Sequence, residues 1–163
     1  MNKITVIGSG NVGSTIAYTM AVCGIASEIV MIDVNEEKSL GEALDIRQGV
    51  PFCSPANVYA GSYADAKGSD IVVITSGMAR KAGQSRLDLT QTNVDIIKSI
   101  ADKIVPVAPE ATYVIVSNPV DVLTYVFLKH TGLPTRVITA ISLGCLSSGE
   151  YIASLFSIMP VIP

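Results

Sequence analysis

Apolar residues fall along the chain in short unbroken runs, set apart by longer stretches with helical spacing. Five runs rich in β-branched residues cover 4–8, 28–33, 70–75, 112–118 and 136–141, and a weaker one covers 57–60. Their apolar stretches do not alternate with polar residues. Unbroken runs of this kind suit strands buried on both faces of a parallel sheet. Between them, Val12, Ile16 and Met20 recur at i, i+4 and i+8, and Leu40 and Leu44 share the i, i+4 spacing. Val94, Ile97, Ala101 and Ile104 give another helical stripe. The stretch 119–131 reads as a helix with proline in its first turn; Gly132 ends it and Pro134 follows, the usual stop arrangement. Strand, helix, strand, helix: the expected fold class is α/β, a doubly wound parallel sheet of about six strands with right-handed crossovers.

The first run leads into Gly8-Ser9-Gly10-Asn11-Val12-Gly13 and then a helix. Small residues there let the backbone approach a pyrophosphate, and the helix N-terminus offers N–H donors and a positive dipole end. Asp33 follows Gly13 by 20 residues, at the end of the next strand. A carboxylate at that place accepts from both ribose hydroxyls and repels a 2′-phosphate, so NAD is favoured over NADP. Thr75-Ser76-Gly77 and Ser117-Asn118-Pro119 stand at the ends of two later strands. Ligands of open α/β sheets bind outside the carboxyl ends of strands, so four separate segments are expected to converge on one edge. Between Gly77 and Leu87, Arg80, Lys81 and Arg86 with Gly83 suit a mobile lid that grips an anionic substrate.

Charge and composition narrow the picture. Eleven Lys+Arg against 14 Asp+Glu leave a net charge of −3, which argues against a nucleic-acid binder. Three cysteines, at 23, 53 and 145, form neither a CxxC pair nor a metal spacing. They read as reduced thiols of a cytoplasmic protein, with no metal site. No secretory signal is seen, and no apolar run reaches the ~18 residues of a membrane helix, so no membrane association is expected.

The pieces ITVIGSGNVGSTIAY, IVMIDVN, GEALDIRQG, SDIVVITSGMARKAGQSRLDLTQTN and VIVSNPVDVLTY together resemble the N-terminal, NAD-binding half of the L-lactate/L-malate dehydrogenase family. The likeness runs from residue 4 to 125 and more weakly to about 138. It implies a Rossmann domain over residues 1–141 and an oxidoreductase that moves hydride between NAD and a small 2-hydroxy or 2-oxo acid. By the same resemblance, Gly8, Gly10, Asn11, Val12, Gly13, Asp33, Thr75, Gly77 and Ser117 hold or line the cofactor site. Arg86 is the catalytic loop arginine that polarises the substrate carbonyl, and Asn118 helps hold the substrate. Arg80 stands where the family chooses its substrate. An arginine there goes with malate and oxaloacetate, because a second carboxylate wants a bidentate guanidinium. A segment such as GEALDIRQGVPFCSPANVYAG looks instead like bacterial lactate dehydrogenases. The resemblance also implies a homo-oligomer.

The chain then departs from the pattern. Where the family has a Leu-Asp-Ser/Thr-Ala-Arg motif, this sequence has Gly144-Cys145-Leu146-Ser147-Ser148-Gly149-Glu150. No Asp follows Asp121 and no Arg follows Arg136. The expected catalytic domain is absent, and residues 142–163 read as a divergent apolar tail, with Glu150 its one charge. The only histidine, His130, reads as a cation at a helix C-terminus. A second reading is therefore an inactive NAD-binding or assembly module.

Overall fold

The computed structural model describes residues 2–78, 83, 85–134 and 138–140, with Arg86 and residues 138–140 described for their backbone. Six parallel strands form one sheet: β1 (Lys3–Ile7), β2 (Glu28–Ile32), β3 (Asn57–Ala60), β4 (Ile71–Ile74), β5 (Thr112–Ile115) and β6 (Ile138–Ala140). Four helices connect them: α1 (Asn11–Val22), α2 (Glu36–Gly49), α3 (Arg86–Ile104) and α4 (Val120–Thr131). The strand order is β3-β2-β1-β4-β5-β6, so the chain starts in the middle, winds to one edge, and returns to wind to the other. Ile4 of β1 is in register with Ile29 of β2 on one side and Ile71 of β4 on the other. All six expected strands are present, the weak one at 57–60 included. The strand at 112–118 stops at Ile115, and its polar end becomes loop.

The unbroken apolar runs have a direct cause. Ile4, Val6, Ile29, Met31, Val58, Ile71, Val73 and Val114 point to one face, under Ala17, Met20 and Ala21 of α1 and Ala43 and Ile46 of α2. Ile7, Val30, Ile32, Val72, Ile74, Tyr113 and Ile115 point to the other, under Ile97, Ile100 and Ile104 of α3 and Leu123 and Phe127 of α4. Successive strand residues feed opposite cores, so neither parity can be polar. Thr5 is the exception among the central strand positions, and its buried hydroxyl meets that of Ser69 at 2.7 Å.

The apolar spacings in α1 and α2 do not mark the buried face throughout. α1 buries Gly13, Ala17, Met20 and Ala21, while Val12 is partly exposed. α2 buries Ser39, Ala43 and Ile46, while Leu40 and Leu44 face outward. Small residues make up most of each buried face, with Met20 of α1 and Ile46 of α2 the larger side chains among them. In α3, the expected stripe is correct at Ile97, Ala101 and Ile104. α4 ends as expected at Gly132, whose φ of +67° is left-handed. Cys23 and Cys53 are free thiols. The tail at 142–163 and Cys145 lie outside the described residues.

Candidate functional site

Parallel strands point all their carboxyl ends the same way, so the loops after β1, β2, β4 and β5 share one edge. The sheet order reverses between β1 and β4, and this switch point is where a doubly wound sheet opens a crevice.

The turn from β1 to α1 is Gly8, Ser9 and Gly10. Gly8 has φ +107°, a conformation that side chains rarely tolerate. A Cβ on Gly13 would overlap the Gly8 carbonyl, so Gly13 keeps the first turn of α1 packed against the strand end. A Cβ on Gly10 would meet nothing within 4 Å. The space over Gly10 is therefore open, and there the backbone is exposed to an approaching group. The first turn of α1, with Asn11 and Val12, has neither a side-chain cap nor an acidic residue. A helix N-terminus in that condition presents N–H donors and a partial positive charge, which suits an anion.

Asp33 lies just past β2. Its Oδ2 accepts from the Ser9 N–H at 2.6 Å and its Oδ1 from the Asn35 N–H at 2.9 Å. The carboxylate thus braces the glycine turn from beside it. Tyr63 feels the same carboxylate: burial, and then the Asp33 charge, push its hydroxyl above the usual range. The Ser9 hydroxyl is buried and lies 2.9 Å from that of Ser39, which donates to the Met31 carbonyl at 3.1 Å.

The loops after β4 and β5 are stitched by side chains. Thr75 Oγ1 donates to the Gly8 carbonyl at 2.8 Å. Ser117 Oγ donates to the Ser76 carbonyl at 2.7 Å. Both hydroxyls of these expected cofactor-lining residues are turned into the protein. Gly77 follows them, partly covered by the Asn93 amide, which would lie 3.5 Å from a Cβ at that position. Asn118 is exposed at the mouth, ahead of a cis bond to Pro119. Arg86 opens α3, the helix that follows the loop, and Arg80 within that loop lies outside the described residues.

The structure thus gathers Gly8, Gly10, Asn11, Val12, Gly13, Asp33, Thr75, Gly77, Ser117 and Asn118 on one edge, with the backbone of Arg86 at the start of α3. His130 is not among them. It sits in the last turn of α4, at the opposite edge, with Nε2 2.7 Å from Asp102 Oδ1. Sequence reasoning missed Asn93. Its signal was available: a polar residue four positions before Ile97, on the buried stripe of α3. Among the described residues no cluster of His, Cys, Asp or Glu is fit to hold a metal ion, and no helix is long and apolar enough to cross a membrane.

Comparison with known proteins gives this geometry a context. A family model, the NAD-binding domain of lactate/malate dehydrogenase, matches residues 2–139. The L-lactate dehydrogenase of Thermoanaerobacter sp. is 57% identical over 134 residues, 82% of this chain and 43% of that protein. A minor L-lactate dehydrogenase of Enterococcus mundtii, solved in a ligand-bound form, is 38% identical with a TM-score of 0.83. That match covers 85% of this chain and 45% of the other. A malate dehydrogenase of Archaeoglobus fulgidus, solved with NADH, is 40% identical with a TM-score of 0.81, over 85% of this chain and 48% of that one. The chain spans less than half the length of these relatives.

Proposed function

The chain belongs to the lactate/malate dehydrogenase family as its NAD-binding domain, and from that premise we propose that it is the cofactor-holding half of an oxidoreductase acting on a small 2-hydroxy acid. The observation that carries this reading is the open space over Gly10 beside an uncapped helix N-terminus, with a carboxylate on the neighbouring strand end. Gly8, Gly10, Asn11, Val12 and Gly13 form the turn that takes the pyrophosphate. Asp33 takes the adenosine ribose and disfavours a 2′-phosphate. Thr75, Gly77 and Ser117 line the path toward the other half of the dinucleotide. When bound, NAD supplies the hydride donor or acceptor.

On the substrate side, Arg86 stabilises charge on the reacting oxygen and Asn118 orients the acid. Arg80 favours malate and oxaloacetate, since its fork suits a second carboxylate. A second reading, lactate and pyruvate, is favoured by the 57% identity to an L-lactate dehydrogenase. The substrate is a free small acid, and the whole enzyme is a cytoplasmic homo-oligomer.

Calorimetric titration tests the cofactor assignment. NADH is expected to bind more tightly than NADPH at equal ionic strength, and Asp33→Ala to narrow the difference. Equal or tighter NADPH binding by the unsubstituted chain overturns it. The 163-residue chain by itself is expected to turn over oxaloacetate and pyruvate negligibly. The family's Asp-containing motif is replaced by Gly144–Glu150, and positioned proton transfer alone is worth about 10²–10⁴-fold. Steady-state NADH oxidation that survives His130→Ala would refute this expectation.

A further inference from the structure

Asn93 sits two turns into α3 and is almost fully buried. Its carboxamide lies between two loops of the sheet edge. Oδ1 accepts from the Met78 N–H at 2.8 Å, and Nδ2 donates to the Asn118 carbonyl at 2.9 Å. Nδ2 also lies 3.5 Å from the Met78 carbonyl, so the amide faces both polar groups of that peptide unit. Met78 lies four residues past β4, on the way to Arg80, and Asn118 lies three residues past β5. α3 itself begins with Arg86. One buried side chain therefore joins three segments, beside the Ser117–Ser76 bond that links two of them.

The position over the sheet says which part of a ligand this affects. A dinucleotide spans the switch point, with the adenosine half over the β1–β2 side that carries Asp33. Gly77, Met78 and Asn118, beyond β4 and β5, fall under the nicotinamide half. We infer that Asn93 is a positioning residue for the nicotinamide half of the site. It ties the β4 loop to the β5 loop, so that the floor under the reacting ring and the Asn118 side chain are set before any ligand arrives. The inference rests on the NAD-binding reading above. The chemistry suits an amide at this place: a donor and an acceptor are offered from one rigid plane, on a side chain that is itself almost fully buried.

The test titrates the 163-residue chain and its Asn93→Asp and Asn93→Ala variants with NADH and, separately, with AMP. Asn93→Asp keeps the shape and the acceptor for Met78 but sets an oxygen against the Asn118 carbonyl. Its NADH affinity is expected to fall about tenfold, the scale of one buried polar group left without its partner. AMP affinity is expected to stay as in the parent, and the fluorescence of bound NADH to move toward that of the free cofactor. Amide exchange at Met78 is expected to quicken in Asn93→Ala and much less in Asn93→Asp. Unchanged NADH affinity in folded Asn93→Asp overturns the inference. So does an equal loss of NADH and AMP binding, which marks general damage to the fold. If Asn93→Ala does not fold, Asn93→Asp decides alone. If the parent chain binds AMP but not NADH, or neither, the proposed function itself fails and takes this inference with it.

Discussion

The two halves of the sheet build their share of the same edge by different means. In β1–α1–β2–α2–β3 the site is made of backbone: a turn of Gly8, Ser9 and Gly10, a helix end without a cap, and Gly13 packed on the Gly8 carbonyl. Asp33 serves that turn by accepting from the Ser9 N–H. In β4–α3–β5–α4–β6 the described residues just past β4 and β5 are tied together by side chains as well. Thr75 reaches back to Gly8, Ser117 holds Ser76, and Asn93 holds Met78 and Asn118. The helix N-termini do not follow that division, since α1 and α4, one in each half, both lack a side-chain cap. α1 has no cap, whereas Asn35 caps α2 by accepting from the Lys38 N–H, and Ser85 caps α3 by accepting from the Asp88 N–H. Asp and Glu stand in the first turns of α2 and α3 and not of α1. A side-chain cap takes up one end donor and first-turn acids offset the end charge; α1 has neither, so its end is open to an anion.

If that contrast is right, its largest consequence is at Gly13. Gly13→Ala forces a Cβ onto the Gly8 carbonyl, which is backbone and cannot step aside. The expected cost is about 3 kcal/mol, or a melting temperature lower by on the order of 10 °C, together with loss of NADH binding. Gly10→Ala is the matched control. Its φ of −75° suits any residue and nothing lies within 4 Å. Its melting temperature is expected to stay near the parent's while NADH affinity falls, because the new methyl occupies the open approach to the turn. Thermal melts with NADH titration check both, and identical behaviour of the two variants breaks the comparison.

A middle-sized effect belongs to the second half. Ser117→Ala removes the hydroxyl that donates to Ser76 and leaves the carbonyl to find another partner. The expected loss is about 1 kcal/mol, the net worth of one such bond, by urea unfolding monitored at two wavelengths. A loss as large as that of Gly13→Ala would show that side-chain stitching is as unforgiving as glycine packing.

The smallest effect is one the halves share. Burial and then donation to Glu28 push the Tyr59 hydroxyl in β3 up to about 12. Burial pushes Tyr113 in β5 up to about 12 as well, its hydroxyl donating to the Ala108 carbonyl. The folded state holds both protons more tightly than the unfolded chain does. Their contribution is therefore complete below the ordinary tyrosine value near 10 and is lost as pH rises toward 12. Absorbance of tyrosinate near 295 nm is expected to show a late component that disappears in a Tyr59→Phe, Tyr113→Phe double variant. A single step near pH 10 for all six tyrosines removes the expectation.

Much of this was written in local pattern. Unbroken runs of Ile and Val foretold strands covered on both faces, and those at 28–32 and 71–74 pair with β1 as a doubly wound sheet requires. The glycine turn lies within one strand–turn–helix unit, where spacing alone sets geometry; spacing also put Asp33 at its strand end, but not its bond to the Ser9 N–H, 24 positions away. The outward turn of Leu40 and Leu44 was not legible, because i, i+4 spacing names a stripe without saying which stripe meets the sheet. The stripe that meets the sheet is Ser39, Ala43 and Ile46. Nor did spacing tell that the Thr75 and Ser117 hydroxyls turn inward, or that Asn93 joins two loops. Those bonds link residues 67, 41, 15 and 25 positions apart. The sequence by itself determined the periods, the turn and the strand-end carboxylate, because these depend on neighbours along the chain. Only the tertiary structure decided which polar side chains hold the loops, because a buried donor takes whatever carbonyl the packed sheet brings within 3 Å of it.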